Sequence, residues 1–218
     1  NQDGPKWPKG SYKDDLTKDS TQTITYHYSD SSQPDSTKTE TSNDTFTKTV
    51  TVDKVTGKIV SDTPWTGSHT FDSSNVPVVN GYHSDKKTVG GKTATVNNPD
   101  VTDTVTYTPN GKIIPVDPSG KPIPNVPTPT YPTDPNDPTK VVPNEPVPNV
   151  PGMTPETPTV TPADPSQDTK ICYHTYSEVK TSQTVKFVDK DGNQLRNPNT
   201  QDGFIFQIKD GKPTEESH

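Results

Sequence analysis

Cys172 and His174, separated only by Tyr173, are residue types that ligate zinc. A structural zinc site needs two such pairs at recognisable spacing, and no second pair exists. The thiol is therefore read as incidental, and no metal is expected. The histidines His27, His69, His83, His174 and His218 are dispersed, with no His-x3-His pair. Asp189-Lys190-Asp191-Gly192-Asn193 begins like a calcium loop. Its glycine comes fourth rather than sixth, however, so a β-turn is the better reading. Gly90-Gly91-Lys92-Thr93 ends like a phosphate loop, but Lys86 stands where the earlier glycine is required, so it reads as a loop entering a strand. No nucleophile with a base and no paired carboxylates stand out. The expectation is no enzyme, no catalytic residue and no cofactor.

The elements that must position any site are strands. In "TQTITYHYS", Ile24, Tyr26 and Tyr28 fall on one face and Thr23, Thr25 and His27 on the other, the period of two of a half-buried strand. "TFTKTVTVD" repeats the pattern with Phe46, Val50 and Val52. A turn over 54–57 then reverses the chain into Lys58-Ile59-Val60, a hairpin pattern. Further strands are expected over 92–96 and 103–108. The intervening "PWTGSHTFDSSNVPVVNGYHSDK" is expected to wrap the sheet as irregular structure or one short helix. No segment sustains the i, i+3, i+4, i+7 pattern of an amphipathic helix, and the abundant threonine favours strands.

Composition sets the broader limits. Only 23% of the 218 residues are apolar, which argues against one large core. The net charge is −7, and the lysines are scattered singly, so nucleic acid is not an expected partner. There is no run of about 20 apolar residues to span a bilayer and no charged-then-apolar leader, so membrane insertion is not expected.

Residues 109–165 hold 18 of the 26 prolines. Each proline fixes φ, removes an N–H donor and biases its predecessor toward extended geometry. The expectation is an extended, semi-rigid spacer without packed sheet or helix, reaching on the order of 180 Å at full extension. Four parts follow: a linker tail over 1–20, a β-module over 21–108, a proline-rich spacer over 109–169, and the truncated start of a following β-unit over 170–218. Strands over 184–188 and within "DGFIFQIKDGK" are expected in the last part, weakly ordered or completed by further sequence because a hairpin or two alone is marginal in water.

"TFTKTVTVDKVTGKIVSDTPWT", "FDSSNVPVVNGYHSDK" and "DTVTYTPNGKIIPVDPSGKPIPNVPTPTYPTDPNDPTK", in that order, resemble the mucus-binding (Mub, MucBP-type) repeats of lactobacillal surface adhesins. "TVKFVDKDGNQL" resembles the opening of a next repeat. The resemblance implies β-grasp-like (ubiquitin-like) modules in a secreted, wall-anchored tandem array. It also implies mucin glycoproteins or their O-glycans as partners, with immunoglobulins bound by some members. One departure is "SDSSQPDSTKTETSND" after the first strand, where such repeats carry a tight turn, so the first hairpin is expected to differ.

If a sugar is the ligand, an aromatic face must meet its C–H surface while amides and carboxylates meet its hydroxyls. Trp65, His69, Tyr82 and His83 are the candidate residues, with Asn80 and Asp85 nearby. In a chain with so few apolar side chains, Trp65, Phe71 and Tyr82 also suit a core, whereas His69, His83 and Tyr28 suit a surface. Tethered copies separated by stiff spacers would turn weak contacts into firm attachment. The competing reading is a passive stalk whose ligand contacts lie elsewhere.

Overall fold

A computed structural model describes residues 6–188, 194–209 and 212–215. The fold is mostly β. Its one helical element among the described residues is a 3-10 turn, Lys13–Asp15. The chain forms two compact units, residues 1–110 with 132–142, and residues 111–131 with 143–218.

The first unit is built on a mixed four-stranded sheet. Strands β1 (Thr17–Tyr28), β2 (Ser36–Thr47), β3 (Val50–Val52), β4 (Ile59–Asp62), β5 (Ser68–Thr70), β6 (Ser73–Asn75), β7 (Tyr82–Ser84), β8 (Thr88–Gly90), β9 (Thr93–Thr95) and β10 (Asp100–Pro109) follow in order. The sheet order is β2-β1-β10-β7, with β1 and β10 parallel at its centre and antiparallel strands outside. A parallel pair needs a crossover connection. Here it is made by the β3–β4 hairpin and the nested strand pairs β5–β9 and β6–β8 rather than by an α-helix. The alternation in β1 buries Ser20, Gln22 and Ile24 in turn. Ile24, Val76, Val89, Val105 and Tyr107 form one core cluster; Phe46, Phe71, Ala94 and Val101 form a second, with Trp65 packed against it. Each fully buried aliphatic side chain contributes roughly 1.5–3 kcal/mol. Gln22, two positions before Ile24 on the same strand face, is 1% exposed. Its Nε2 donates to the Asp72 carbonyl at 3.3 Å and its Oε1 accepts from the Lys92 N–H at 3.0 Å, so a buried amide is satisfied by two loops of the crossover.

Two differences from the sequence expectation concern strands. The Ser/Thr-rich segment after β1 contributes the twelve-residue β2, paired with β1 from Tyr26↔Ser36 to Thr17↔Thr47 with a register shift between Lys18 and Ser20. It lies at the sheet edge and is almost wholly exposed, so it needs no apolar alternation. Cross-strand threonines such as Thr23 and Thr39, with hydroxyls 3.0 Å apart, support it instead. The pattern over 45–53 is two strands, the end of β2 and β3. The hairpin over 54–57 is present, closed by Asp53 N–H to Lys58 O at 2.8 Å and Gly57 N–H to Asp53 O at 2.8 Å.

The proline-rich segment is not an unpacked spacer, which corrects the expectation for residues 109–169. Its strands are β11 (Ile113–Val116), β12 (Glu145–Pro146), β13 (Met153–Pro155) and β14 (Thr159–Val160). They are followed by β15 (Thr169–Val188), β16 (Gln194–Lys209) and β17 (Lys212–Glu215). In the second unit β11 pairs parallel and β13 antiparallel with the N-terminal half of β15, β12 pairs with β14, and β15 continues into a ladder with β16 and β17. Ile113, Pro115, Tyr131 and Tyr173 are fully buried, and Val116, Val150, Val160 and Ile171 nearly so. Proline lacks a donor but keeps its carbonyl, and the segment is organised around those acceptors. Ile113 N–H donates to Pro129 O at 2.9 Å, Ile123 N–H to Pro115 O at 3.1 Å, Val147 N–H to Pro158 O at 3.1 Å, and Tyr173 Oη–H to Pro148 O at 2.6 Å. The strand expected over 184–188 is the end of a strand that starts at Thr169. The turn expected at 189–193 lies outside the described residues.

Candidate functional site

The parallel register of β1 and β10 sets Tyr28 beside Tyr107 on one sheet face. Their rings stack with centroids 5.1 Å apart at 24°, and the Tyr82 ring meets Tyr28 edge-on at 5.3 Å and 86°. An open groove runs past this aromatic cluster. It is lined by Tyr26, Tyr28, Gln33, Pro34, Asp35 and Tyr107, with Ser36, Pro77 and Val79 completing it. Tyr107 is the floor, 2% exposed, and its hydroxyl donates to the Pro77 carbonyl at 2.7 Å. Burial raises its pKa to about 12, with nearby Tyr28 and Tyr26 adding to the shift.

The 29–35 loop is shaped by its own short polar side chains. Ser31 occupies the left-handed region at φ 57°, and Ser32 N–H donates to Asp30 Oδ1 at 3.1 Å. Tyr82 Oη lies 2.8 Å from Asp30 Oδ2 and 2.9 Å from Ser32 Oγ, fastening loop to β7. The Tyr82 bond, ahead of the opposing effect of desolvation, lowers the Asp30 pKa. Asp35 Oδ1 is 2.7 Å from His27 Nδ1, which orients that carboxylate at the groove edge. The groove thus offers aromatic rings, an amide, a carboxylate and a hydroxyl over a shallow surface. That combination suits a polyhydroxylated ligand with one apolar face.

A strap from the proline-rich segment, residues 132–142, shapes the groove wall. Thr133 Oγ1 lies 2.6 Å from Tyr82 O and 3.1 Å from Val79 O, and accepts from Gly81 N–H at 3.1 Å and from Asn110 Nδ2 at 3.0 Å. Asn80 Oδ1 accepts from Thr133 N–H at 3.0 Å. One buried threonine therefore holds the whole Val79–Tyr82 turn. Further along, Asp137 takes the Thr139 hydroxyl at 2.7 Å and its N–H at 3.0 Å, and pairs with Lys87 at 3.0 Å. Desolvation would raise the Asp137 pKa, but the Thr139 and Lys87 partners outweigh it and lower the value to about 2.

The four candidates from the sequence fall in two places. Tyr82 and His83 lie by the groove, on β7. The Tyr82 hydroxyl is spent on the loop, and His83 Nδ1 is 2.8 Å from Asn110 Oδ1, part of the strap network. Trp65 and His69 belong to the other cluster. Lys18 and Lys48 lie over the Trp65 ring at 4.4 and 5.2 Å from its centroid, and His69 stands edge-on to Phe71 at 4.6 Å. Gln33 and Asp35 escaped the sequence reading, which places Tyr26 only on the strand's apolar face and not in a site. The loop carries no periodic signal, and only the β1–β2 register brings its polar side chains over the tyrosines.

Residues 11–111 match the Muc B2-like domain. Similar solved structures include Mub-RV, 34% identical over 45% of this chain and 56% of that one, with a TM-score of 0.32. The type 2 repeat of the mucus binding protein MUB from Lactobacillus reuteri is 27% identical over 47% of this chain and 56% of that one, TM-score 0.35. The MucBP domain of the adhesion protein from Pediococcus pentosaceus is 31% identical over 43% of this chain and 99% of that one, TM-score 0.30. The chain thus spans about half the length of the first and second of these. No curated protein matches. The matched family is an adhesion-domain family and not an enzyme family. Through residues 11–111, the chain belongs to the Muc B2-like family of mucin-binding-type domains.

Proposed function

We propose that this chain is a repeat of an extracellular, wall-attached adhesin, and that its first unit holds a mucin O-glycan in the tyrosine groove. The family match motivates the class of partner. The observation that carries the site is the groove itself, lined by Tyr26 and Tyr28 together with Gln33 and Asp35. A sugar ring laid on the tyrosines would direct its hydroxyls to those two groups and to Ser36. Affinity at one such open site is weak, and copies in a tandem array would supply the attachment. Among the described residues no helix is long and apolar enough to cross a membrane.

Binding of the full chain to immobilised mucin, before and after enzymatic removal of O-glycans, tests this, with immunoglobulin in a parallel channel. Gln33→Ala and Asp35→Ala lie on an exposed loop and are expected to weaken mucin binding roughly ten-fold each, the worth of one hydrogen bond to a charged or amide group. Equal binding to deglycosylated mucin, or unchanged binding by both variants, would sink the glycan site. Signal for immunoglobulin alone would make this a protein-capture module.

A further inference from the structure

The second unit brings together three metal-ligand side chains that the sequence keeps apart. In β15, Cys172 and His174 are two residues apart, so both project from the same face. Strand β13 runs antiparallel beside them, in register Thr154↔His174 and Pro155↔Tyr173. The next residue, Glu156, therefore stands opposite Cys172, and its N–H donates to the Cys172 carbonyl at 2.9 Å. Cys172 Sγ lies 3.6 Å from His174 Nε2, which lies 2.9 Å from Glu156 Oε1, and the three ligand atoms all fall within 4.8 Å of one another.

We propose that Glu156, Cys172 and His174 form a binding site for one zinc-like divalent cation, contrary to the expectation of no metal drawn from spacing alone. A tetrahedral ion with metal–sulfur and metal–nitrogen bonds of about 2.3 and 2.0–2.1 Å holds those two donors about 3.5 Å apart. The 3.6 Å separation of Sγ and Nε2 is that edge of the tetrahedron. The carboxylate sits nearer to the imidazole than a shared ion allows. Its side chain, however, is 55% exposed and can swing outward, while that of His174 is 13% exposed and held. On binding, the thiol proton leaves to solvent as the sulfur–metal bond forms, the imidazole gives up its Nε2 proton to solvent while Nδ1 takes one up, leaving the ring neutral, and the freed Nε2 lone pair on the ion replaces the hydrogen bond between His174 and Glu156. The fourth position is left to water or to a donor from another molecule. Thiolate with imidazole selects zinc-like ions over calcium or magnesium. This inference is independent of the glycan groove.

The test is titration of the reduced, chelator-treated full chain with Co2+ alone, followed optically. A thiolate-to-cobalt charge-transfer band with tetrahedral visible bands is expected, saturating at one equivalent and displaced by Zn2+. Glu156→Gln and His174→Gln are each expected to weaken binding by at least about ten-fold, and Cys172→Ser to remove the charge-transfer band. Far-ultraviolet circular dichroism of each variant checks that the strands persist. Absence of the bands in the native chain would overturn the site. Bands unaffected by both Glu156→Gln and His174→Gln would do the same, because they would show a lone thiolate acting by itself.

Discussion

Tyr107 and Asp137 show how single residues link the groove to stability. Tyr107 has its pKa raised to about 12 by burial, so the folded state holds its proton more tightly than the unfolded chain, whose tyrosines titrate near 10. Its contribution is fully present below about pH 10 and is lost as pH rises toward 12. Thermal unfolding in alkali is expected to show that decline, and Tyr107→Phe is expected to flatten it. At neutral pH the same variant is expected to cost about 1–2 kcal/mol by leaving the Pro77 carbonyl unpaired. Asp137 works in the opposite direction. With its pKa lowered to about 2, it stabilises above the ordinary carboxylate pKa, and the effect fades as pH falls from about 4 through 2. Asp137→Ala is therefore expected to lower the melting temperature at pH 7 and to converge with the native chain near pH 2, as calorimetry across that range would show.

At the scale of elements, the hairpin crossover depends on close backbone approaches that side chains would block. Gly67 has φ +129°, and a Cβ there would meet the Thr45 carbonyl oxygen at 2.2 Å, beside the bridge between Thr47 and Thr66. Gly57, in the β3–β4 turn, has φ +68° with open space around it. Gly57→Ala is expected to cost about 1 kcal/mol from backbone strain alone. Gly67→Ala is expected to cost 2–3 times as much, about 2–3 kcal/mol, because the backbone must also move. Denaturant midpoints measured side by side separate the two; equal shifts would show that the Thr45 approach is not a real constraint. The strap is an element of the same kind. Thr133→Val keeps its shape and its backbone bond to Asn80 but removes the hydroxyl's bonds to the Val79–Tyr82 turn, and is expected to loosen the groove wall and weaken ligand binding more than it lowers stability.

The whole molecule is threaded so that neither unit is a continuous stretch. The chain leaves the first unit after Asn110, contributes 111–131 to the second, returns for 132–142, and leaves again. Cutting it at the composition boundaries therefore damages both units. A chain ending at residue 108 lacks Thr133 and Asp137 and is expected to melt at least about 4–8 °C lower, the equivalent of 1 kcal/mol in a domain of this size. A chain ending at residue 140 keeps Thr133 and Asp137 but strands Ile113, Val116 and Tyr131 without β15, and is expected to bind a hydrophobic dye and self-associate. A monodisperse, dye-silent 1–140 fragment would show that the strap and the first unit need nothing from β15.

Local periodicity determined what a strand's own residues can announce: β1 and β10 are legible because alternate positions face a core, and the β3–β4 hairpin is legible from its turn residues. The mostly β class and the kinship to mucus-binding repeats follow from the same phrases. The rest depends on partners distant in sequence. Strand β2 is a mostly exposed edge whose one buried apolar residue is Phe46 near its end, so its strandness comes from pairing with β1. Proline density correctly forbids helices and long ladders over 109–165. It says nothing about carbonyls, and those acceptors, met by N–H groups tens of residues away in some cases, turn a supposed spacer into packed structure. The groove and the Glu156–Cys172–His174 cluster are likewise products of strand register. Only pairing across the sheet places Gln33 and Asp35 over the tyrosines, and only pairing of β13 with β15 carries a glutamate sixteen positions upstream to the side of a cysteine.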